Sequence, residues 1–333
     1  MHISRLSSCS LAILSMLCGP VLALSADDIN QAIFIPDTGD AAKKQKTPSA
    51  FIVKTQVLLS RRSISPGELD GMDGENYRKA IAQFRRQNNL GDGDKVDEAT
   101  WNALGGQTAG DIVTEYTLTK KDAAAHFPRR IPKDYAKQAA MKRLTYTSAK
   151  EMLAERFHMS EELLKALNPR ADLDKAGERL VVAAVERKAP HVEVERVEAV
   201  KDTGMVVVYG AGNVVLASYP ATIGSDDIAS PEGEHTITRI VRNPTYHYDP
   251  DKNFQQGRNK KKLVLPRGAN NPVGTVWIAL SKDTFGIHGT PEPSKVSKTS
   301  SHGCIRLTNW DAEALADMVK TGVRVRFVEQ PKS

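Results

Sequence analysis

The sequence has 333 residues and a formal net charge of +6, and charged residues make up 26% of it. This length allows two or three domains with substantial cores. The cations are dispersed and no aromatic-studded basic stripe accompanies them, so the pattern does not favour nucleic-acid binding. Weak attraction to an anionic polymer and an ordinary soluble surface both stay open.

The amino terminus has the pattern of a secretory signal peptide, predicted over residues 1–26. A basic start precedes a short apolar run over residues 11–18, and cleavage is expected after Ala23 or Ala26. The run is too short to span a membrane, so we expect an exported protein of the periplasm or cell envelope with no integral membrane span. Cys18 follows Met-Leu rather than small residues, which disfavours a lipoprotein signal.

Cysteine usage singles out one residue. Cys9 and Cys18 would leave with the signal peptide, so Cys304 is the one cysteine expected in the mature protein, without a disulfide partner in the chain. A buried, inert thiol is the alternative, and the His-Gly pair directly before Cys304 disfavours it.

A polar linker or mobile arm is predicted over residues 27–49, followed by a small helical module over residues 50–106. Apolar residues from Tyr77 to Phe84 recur at helical spacing, with Asp73 as a candidate cap. The aspartates between 70 and 97 lack the spacing of a calcium loop, so turns are the better interpretation.

Within this module, four sequence features occur in order: Gln56-x-Leu58-Leu59, Pro66-Gly67-Glu68-Leu69-Asp70-Gly71, Ala80-x-x-x-Phe84 and Asp97-x-x-Thr100. This order resembles the three-helix peptidoglycan-binding domain of cell-wall enzymes. The alternative is a purely structural three-helix spacer.

Residues 107–142 are predicted to be a connector without an assigned function, and residues 143–186 a second compact unit. In that unit Ser148 and Ser160 can cap two short helices, and a strand-like run follows over residues 179–182. The unit resembles a LysM module, which binds polymers containing N-acetylglucosamine. The usual Gly-Asp-Thr-Leu turn is missing, so a scaffolding role is the alternative to glycan binding.

From about residue 191 to residue 328 the pattern is mostly β. Apolar runs and alternating segments are separated by Gly-rich turns, and one late helix is predicted from Thr308 or Asn309 to Gly322. A long loop over residues 244–274 has the composition of a functional or mobile segment. The fold class predicted is therefore multidomain, with a β-sandwich-like or curled-sheet domain preceded by the two small modules.

Cys304 has two histidines as candidate bases, since a thiol attacks as the thiolate and an imidazole can accept its proton. His302 lies two residues away, where side chains converge only in a favourable turn. His288 lies on a separate segment that can end beside Cys304 as a neighbouring strand, and the Gly289 carbonyl can fix its tautomer, so His288 is the better base. A zinc site from these three residues would lack a fourth ligand and is disfavoured.

The pattern Ile287-His288-Gly289-Thr290 with Ser301-His302-Gly303-Cys304-Ile305-Arg306-Leu307 closely resembles the catalytic motif of L,D-transpeptidases with the YkuD-type domain. The resemblance implies that Cys304 is the nucleophile and His288 its base, held by the Gly289 carbonyl. It also implies an oxyanion hole from amides around Gly303, with His302 as a further catalytic residue that shapes the site and helps in proton transfer. Ser301 and Arg306 would bind substrate, and bracing of the loop is the alternative for Arg306.

The resemblance further implies a function. Substrates of the family are peptidoglycan stem tetrapeptides, whose acyl group passes from the cysteine to an amine of a second stem, forming a 3–3 cross-link, or to a lysine of a wall-anchored lipoprotein. Neither a metal nor a cofactor is required. Two alternatives stay open: an L,D-carboxypeptidase or cross-link hydrolase using the same cysteine, and a catalytically silent wall-binding scaffold.

Overall fold

The computed structural model describes residues 24–36, 45–185, 192–224, 231–252, 254–299 and 303–329, so most of the predicted signal peptide lies outside the described residues. Most helices belong to the first half of the chain: α1 (Ala26–Asn30), α2 (Ala50–Arg61), α3 (Glu75–Gln87), α4 (Glu98–Leu104), α5 (Lys120–Ala123), α6 (Tyr135–Ala139), α7 (Ala149–Arg156), α8 (Glu161–Leu167) and α9 (Asn309–Met318). None in the described ranges is long and apolar enough to cross a membrane.

Most strands belong to the second half: β1 (Val113–Thr117), β2 (Arg179–Ala183), β3 (Arg196–Val200), β4 (Met205–Tyr209), β5 (Val215–Pro220), β6 (Thr222–Ile223), β7 (Gly233–Arg242), β8 (Tyr246–Tyr248), β9 (Leu263–Leu265), β10 (Val276–Leu280), β11 (Gly286–His288), β12 (Ile305–Arg306) and β13 (Arg324–Val328).

The prediction of a polar linker over residues 27–49 is wrong for its first residues, which belong to helix α1. Ser25 caps α1 together with Asp28, and Ile29 is fully buried in the core of the helical half. The Asn30 side chain accepts hydrogen bonds from the backbone N–H groups of Ile112 and Val113, at 2.8 and 3.0 Å. A helix of five residues with one core residue is too short to show a helical repeat of apolar residues in the sequence. Its position is fixed by these contacts with residues far away in the chain.

Helix α3 follows the predicted apolar face, but not the predicted cap. Tyr77, Ile81 and Phe84 are all buried on one side of the helix. The N-cap is Gly74, and Asp73 instead forms a salt bridge with Arg78 at 2.8 Å. An aspartate one residue before the cap can pair with a cation in the first turn, and sequence spacing alone does not separate the two arrangements.

The two predicted small modules share one hydrophobic core. Residues from α1–α4, α7, α8, β1 and β2 pack together, and we call this unit the N-terminal body. Its two halves are also joined by backbone hydrogen bonds, from Leu69 N to the His158 carbonyl at 2.8 Å and from Ser160 N to the Leu69 carbonyl at 3.0 Å. A shared core means that neither half is an independent structural unit here.

The boundaries of the second module also need correction. Strand β2 pairs antiparallel with β1, from Val113 opposite Ala183 to Thr117 opposite Arg179. The first strand of the LysM-like unit therefore comes from the predicted connector rather than from residues after 143. Residues 118–148, which include α5 and α6, form an insert between β1 and α7, and we call this segment the insert.

The second half is built on one nine-stranded sheet with the order β5-β4-β3-β13-β7-β10-β11-β12-β6. The long strand β7 joins its two parts, since residues 233–236 pair with β13 and residues 237–242 with β10. Helix α9 packs against β10 and β11 and buries Ala312 and Leu315. It ends at Met318 rather than at the predicted Gly322, because Val319 is already extended.

Polar contacts fix the N-terminal body on this sheet domain. Ser65 N donates to the Ser218 carbonyl at 2.8 Å, and its hydroxyl donates to the buried Asp311 carboxylate at 2.7 Å. The His158 and Trp310 rings stack with centroids 5.2 Å apart. In the predicted long loop, β8 and β9 form a hairpin whose core includes Leu144 of the insert. The insert therefore lies next to the segments that carry the candidate site.

Candidate active site

The cysteine and the candidate base lie on neighbouring parallel strands. Strands β11 and β12 pair with Ile287 opposite Ile305 and His288 opposite Arg306. Both isoleucines are fully buried in the core beneath the sheet. Side chains alternate along a strand, so His288, Arg306 and the preceding Cys304 are directed to the opposite face.

His288 is buried and held in one tautomer. Its Nδ1 lies 2.6 Å from the Gly289 carbonyl oxygen, an acceptor, so Nδ1 carries the proton and Nε2 keeps its lone pair. The ring stacks on Trp277, which lies directly opposite on β10, with centroids 5.5 Å apart. Burial, assisted by the Arg306 cation, lowers the pKa of His288 to about 3, so the ring is neutral at rest.

Asn309 packs closely against the backbone at Gly289, the residue whose carbonyl orients His288. A Cβ at Gly289 would lie 2.2 Å from Asn309 Oδ1, and one at Gly274 would lie 2.0 Å from the same atom. The Asn309 Oδ1 accepts from Thr275 N at 3.1 Å, and its Nδ2 donates to Glu155 Oε2 at 2.9 Å. Glycines at both positions allow this close approach.

Asn309 was expected only as a candidate helix cap, and Glu155 was not singled out at all. The structure makes Thr308 the N-cap, and Asn309 the first residue of α9. Glu155 comes from α7 of the N-terminal body, so the link from that body to His288 runs through Asn309 and the backbone at Gly289. Sequence spacing offers no signal for it, because Glu155 and Asn309 are 154 residues apart.

The Cys304 thiol is partly buried and free of any disulfide. Its Sγ donates to the Thr284 carbonyl at 3.7 Å. Burial raises the pKa of the Cys304 thiol, against smaller lowering effects of the Gly286 backbone and the Arg306 cation. The thiol and the imidazole are therefore both favoured in their neutral forms, rather than as a thiolate–imidazolium pair.

A cavity of about 170 Å³ lies over Cys304 and His288. Five aromatic residues line it, from β10, the turn that follows β10, the 244–274 loop and the insert: Trp277, Phe285, Tyr246, Phe254 and Tyr135. Tyr135 belongs to the predicted connector, to which no function was assigned. Its contribution rests on long-range packing, and nothing in its local sequence indicates it.

The other predicted site residues are placed as follows. Arg306 lines the same cavity, beside His288 in the strand register. Gly303 has a φ of 94°, a left-handed conformation that favours glycine directly before Cys304. Ser301 and His302 lie outside the described residues. Within the described ranges no group of three metal-ligating side chains occurs.

Part of the chain that carries this site is similar to known proteins. Residues 195–327 match the family model of YkuD, the L,D-transpeptidase catalytic domain. The putative L,D-transpeptidase YkuD of Bacillus subtilis is 34% identical over 113 residues, which cover 34% of this chain and 54% of that relative. The protein of the same description from Bacillus licheniformis is 28% identical over 177 residues, covering 53% of this chain and 90% of the relative.

Among solved structures, an L,D-transpeptidase from Mycobacterium smegmatis aligns with a TM-score of 0.34 and 17% identity, over 48% of this chain and 76% of its own. The family match begins at residue 195. The N-terminal body precedes this boundary and lies outside the matched range.

Proposed function

We propose, from the family match over residues 195–327, that this protein is an exported L,D-transpeptidase in which peptidoglycan stem tetrapeptides acylate Cys304. The observation that carries this proposal is the hydrogen bond of His288 Nδ1 to the Gly289 carbonyl, on the strand beside the cysteine. It leaves Nε2 as a proton acceptor on the sheet face that also presents the thiol.

The first half-reaction cleaves the bond between the third residue of the stem, a diamino acid, and D-Ala. The thiol turns from the Thr284 carbonyl towards His288, and Nε2 accepts its proton as Sγ attacks the peptide carbonyl carbon. Amides at Gly303 and Cys304 stabilise the oxyanion. The C–N bond then breaks, the leaving D-Ala amine takes the proton from His288, and a thioester remains on Cys304.

The second half-reaction returns the enzyme to its starting state. An amine attacks the thioester and gives its proton to His288, the C–S bond breaks, and the thiol regains the proton. Attack by an amine on the third residue of another stem gives a 3–3 cross-link. Attack by a lysine of a lipoprotein joins that lipoprotein to the stem peptide. With water as the acceptor, the same residues act as an L,D-carboxypeptidase.

The neutral resting pair has a chemical consequence. A thiol with a raised pKa is less ionised before substrate binds, so proton transfer to His288 accompanies the attack rather than preceding it. The low basicity of His288 also favours return of the proton to the leaving amine.

The N-terminal body supports this proposal as a wall-binding element. We assign its α2–α4 portion to peptidoglycan binding and the β1–α7–α8–β2 portion to contact with glycan strands. Attachment to the insoluble polymer raises the effective concentration of stem peptides around Cys304. The signal-like amino terminus, which would export the chain to that compartment, is consistent with this assignment.

Incubation of the purified protein with defined tetrapeptide muropeptides, followed by mass spectrometry, tests the proposal. We expect a covalent adduct that has lost D-Ala, and products that are joined through two diamino acids. The Cys304→Ala variant should form no adduct and still sediment with isolated sacculi. An adduct retained in that variant contradicts the assignment of the nucleophile, and shortened but never joined peptides would indicate hydrolysis instead.

A further inference from the structure

A larger cleft lies beside the cavity over Cys304. This cleft has a volume of about 750 Å³, and it shares Tyr135, Pro272 and Arg306 with the cysteine cavity. The insert lines it from Arg129 to Gln138, and the rest of its lining comes mainly from the sheet domain, with one glutamate each from α7 and α8. A peptide with its reactive carbonyl at Cys304 can therefore continue past Tyr135 along the insert.

Tyr135 is held firmly at the junction of the two spaces. Its ring makes edge-to-face contacts with Tyr248 and Tyr246, with centroids 5.3 and 5.9 Å apart. The Gln256 side chain accepts from Tyr135 N at 3.1 Å and donates to the Lys133 carbonyl at 2.9 Å. The insert is thus fixed to the sheet domain at the point where the cleft narrows.

The insert lines the outer cleft with cations. Arg129, Arg130 and Lys133 are exposed, and none of them forms a salt bridge with any described residue. The three carboxylates of the cleft are already engaged within the protein: Glu151 with Asn270, Glu161 with Lys150 and Glu292 with Lys295. Glu161 and Glu292 are paired with lysines, so the three insert cations outnumber the one remaining carboxylate, Glu151, and the cleft favours an anionic occupant.

We propose that the insert is a substrate-binding wall that selects an acidic acyl-donor peptide. Arg129, Arg130 and Lys133 bind carboxylates upstream of the cleaved bond, and Tyr135 guides the chain towards Cys304. This inference rests on the proposed function and deepens it, because it assigns donor recognition to the insert as well as to the sheet domain. The second peptide, which accepts the acyl group, is not held by these cations.

The test measures the rate of Cys304 acylation against peptide concentration, by mass spectrometry in the absence of an acceptor. The variant carries Arg129→Glu, Arg130→Glu and Lys133→Glu. The matched control carries Lys120→Glu, Lys121→Glu and Lys137→Glu, three exposed cations of the same insert that lie outside the cleft, with the same change in net charge. The probes are one tetrapeptide muropeptide and the same compound with its upstream carboxylates amidated.

We expect the cleft variant to raise the half-saturating concentration of the acidic probe about 10-fold, with the limiting acylation rate within about twofold of wild type. The control variant should match wild type, and the amidated probe should not distinguish the proteins. Added salt should weaken binding of the acidic probe to wild type and to the control variant, but not to the cleft variant. Equal rates of Cys304 alkylation by iodoacetamide in all three proteins will show that the site is intact.

Two results would overturn this inference. One is unchanged acylation by the cleft variant, with or without a loss in the later transfer to an acceptor amine. The other is an equal effect in the control variant, which would indicate long-range charge rather than a binding wall. Both differ from failure of the proposed function, in which wild-type Cys304 is not acylated by either probe.

Discussion

The N-terminal body and the sheet domain are built differently from the surface between them. Each has an apolar core, one shared by short helices and the β1–β2 pair, the other by the nine-stranded sheet and α9. Between them lie directional polar contacts, such as Ser65 to Asp311 and Asn309 to Glu155. Apolar cores tolerate adjustment of their side chains, whereas hydrogen bonds of this kind fix distance and orientation.

This difference matters because the interface lies next to the candidate catalytic base. Asn309 contacts Glu155 on one side and the backbone at Gly289 on the other, and the Gly289 carbonyl holds His288. We infer that the sheet domain supplies the reacting groups and that the N-terminal body helps to hold them in place. The predictions below separate these two contributions.

The largest expected effect concerns the sheet domain alone. His288→Ala removes the proposed proton acceptor and should lower the limiting acylation rate about 10³-fold. His302→Ala should cost no more than about 10-fold, because that ring is proposed to shape the site rather than to accept the proton. Acylation measured by mass spectrometry, with thermal unfolding as the check on folding, compares the two. Equal losses would remove the distinction between the histidines.

The residues of the candidate site could be proposed from sequence because they lie close together along the chain. Cys304, Arg306 and Gly303 occupy one short segment, and His288 with Gly289 occupies the neighbouring strand. The contributions of Glu155 and Tyr135 were not predictable, since each depends on contacts made across more than a hundred residues. Distant contacts also explain why helix α1 was predicted as a linker, since its Asn30 side chain accepts a hydrogen bond from Val113 of β1.

A second prediction tests the link between the two regions. Asn309→Ala leaves Thr275 N and the Glu155 carboxyl without their buried partner, and should lower the free energy of unfolding by about 3 kcal/mol. The limiting acylation rate should also fall about 10-fold, because Gly289 is less well braced.

The matched control for Asn309 is Asn168→Ala. Asn168 is a buried asparagine of the N-terminal body. Its side chain makes three hydrogen bonds, to the Leu164 carbonyl and to both backbone groups of Val181. Its loss should destabilise the protein by a similar amount without changing the rate per folded molecule. If Asn309→Ala behaves in the same way, the interface does not position His288.

A third prediction concerns the pH dependence of stability. Burial raises the pKa of Glu155 from its ordinary 4.5 to about 8, so the folded protein binds more protons than the unfolded chain between these values. This contribution to stability is fully present below pH 4.5 and is lost as the pH rises to 8, with a slope of up to about 1.4 kcal/mol per pH unit. Urea unfolding of wild type and Glu155→Gln across this range measures it. A variant with the same slope as wild type would exclude Glu155 as the source.

The smallest expected effect tests a contact remote from His288. Ser65→Ala removes the hydroxyl that donates to the buried Asp311 carboxylate, and should cost about 1–2 kcal/mol of stability while leaving acylation unchanged. Ser218→Ala is the control, because its buried hydroxyl has no partner among the described residues and its backbone bonds to Ser63 and Ser65 are retained. That change should be nearly neutral, since it deletes an unsatisfied polar atom. Equal unfolding midpoints for the two variants would show that the Ser65–Asp311 bond does not hold the regions together. Reduced acylation in Ser65→Ala alone would show that interface contacts other than those of Asn309 also affect the acylation rate.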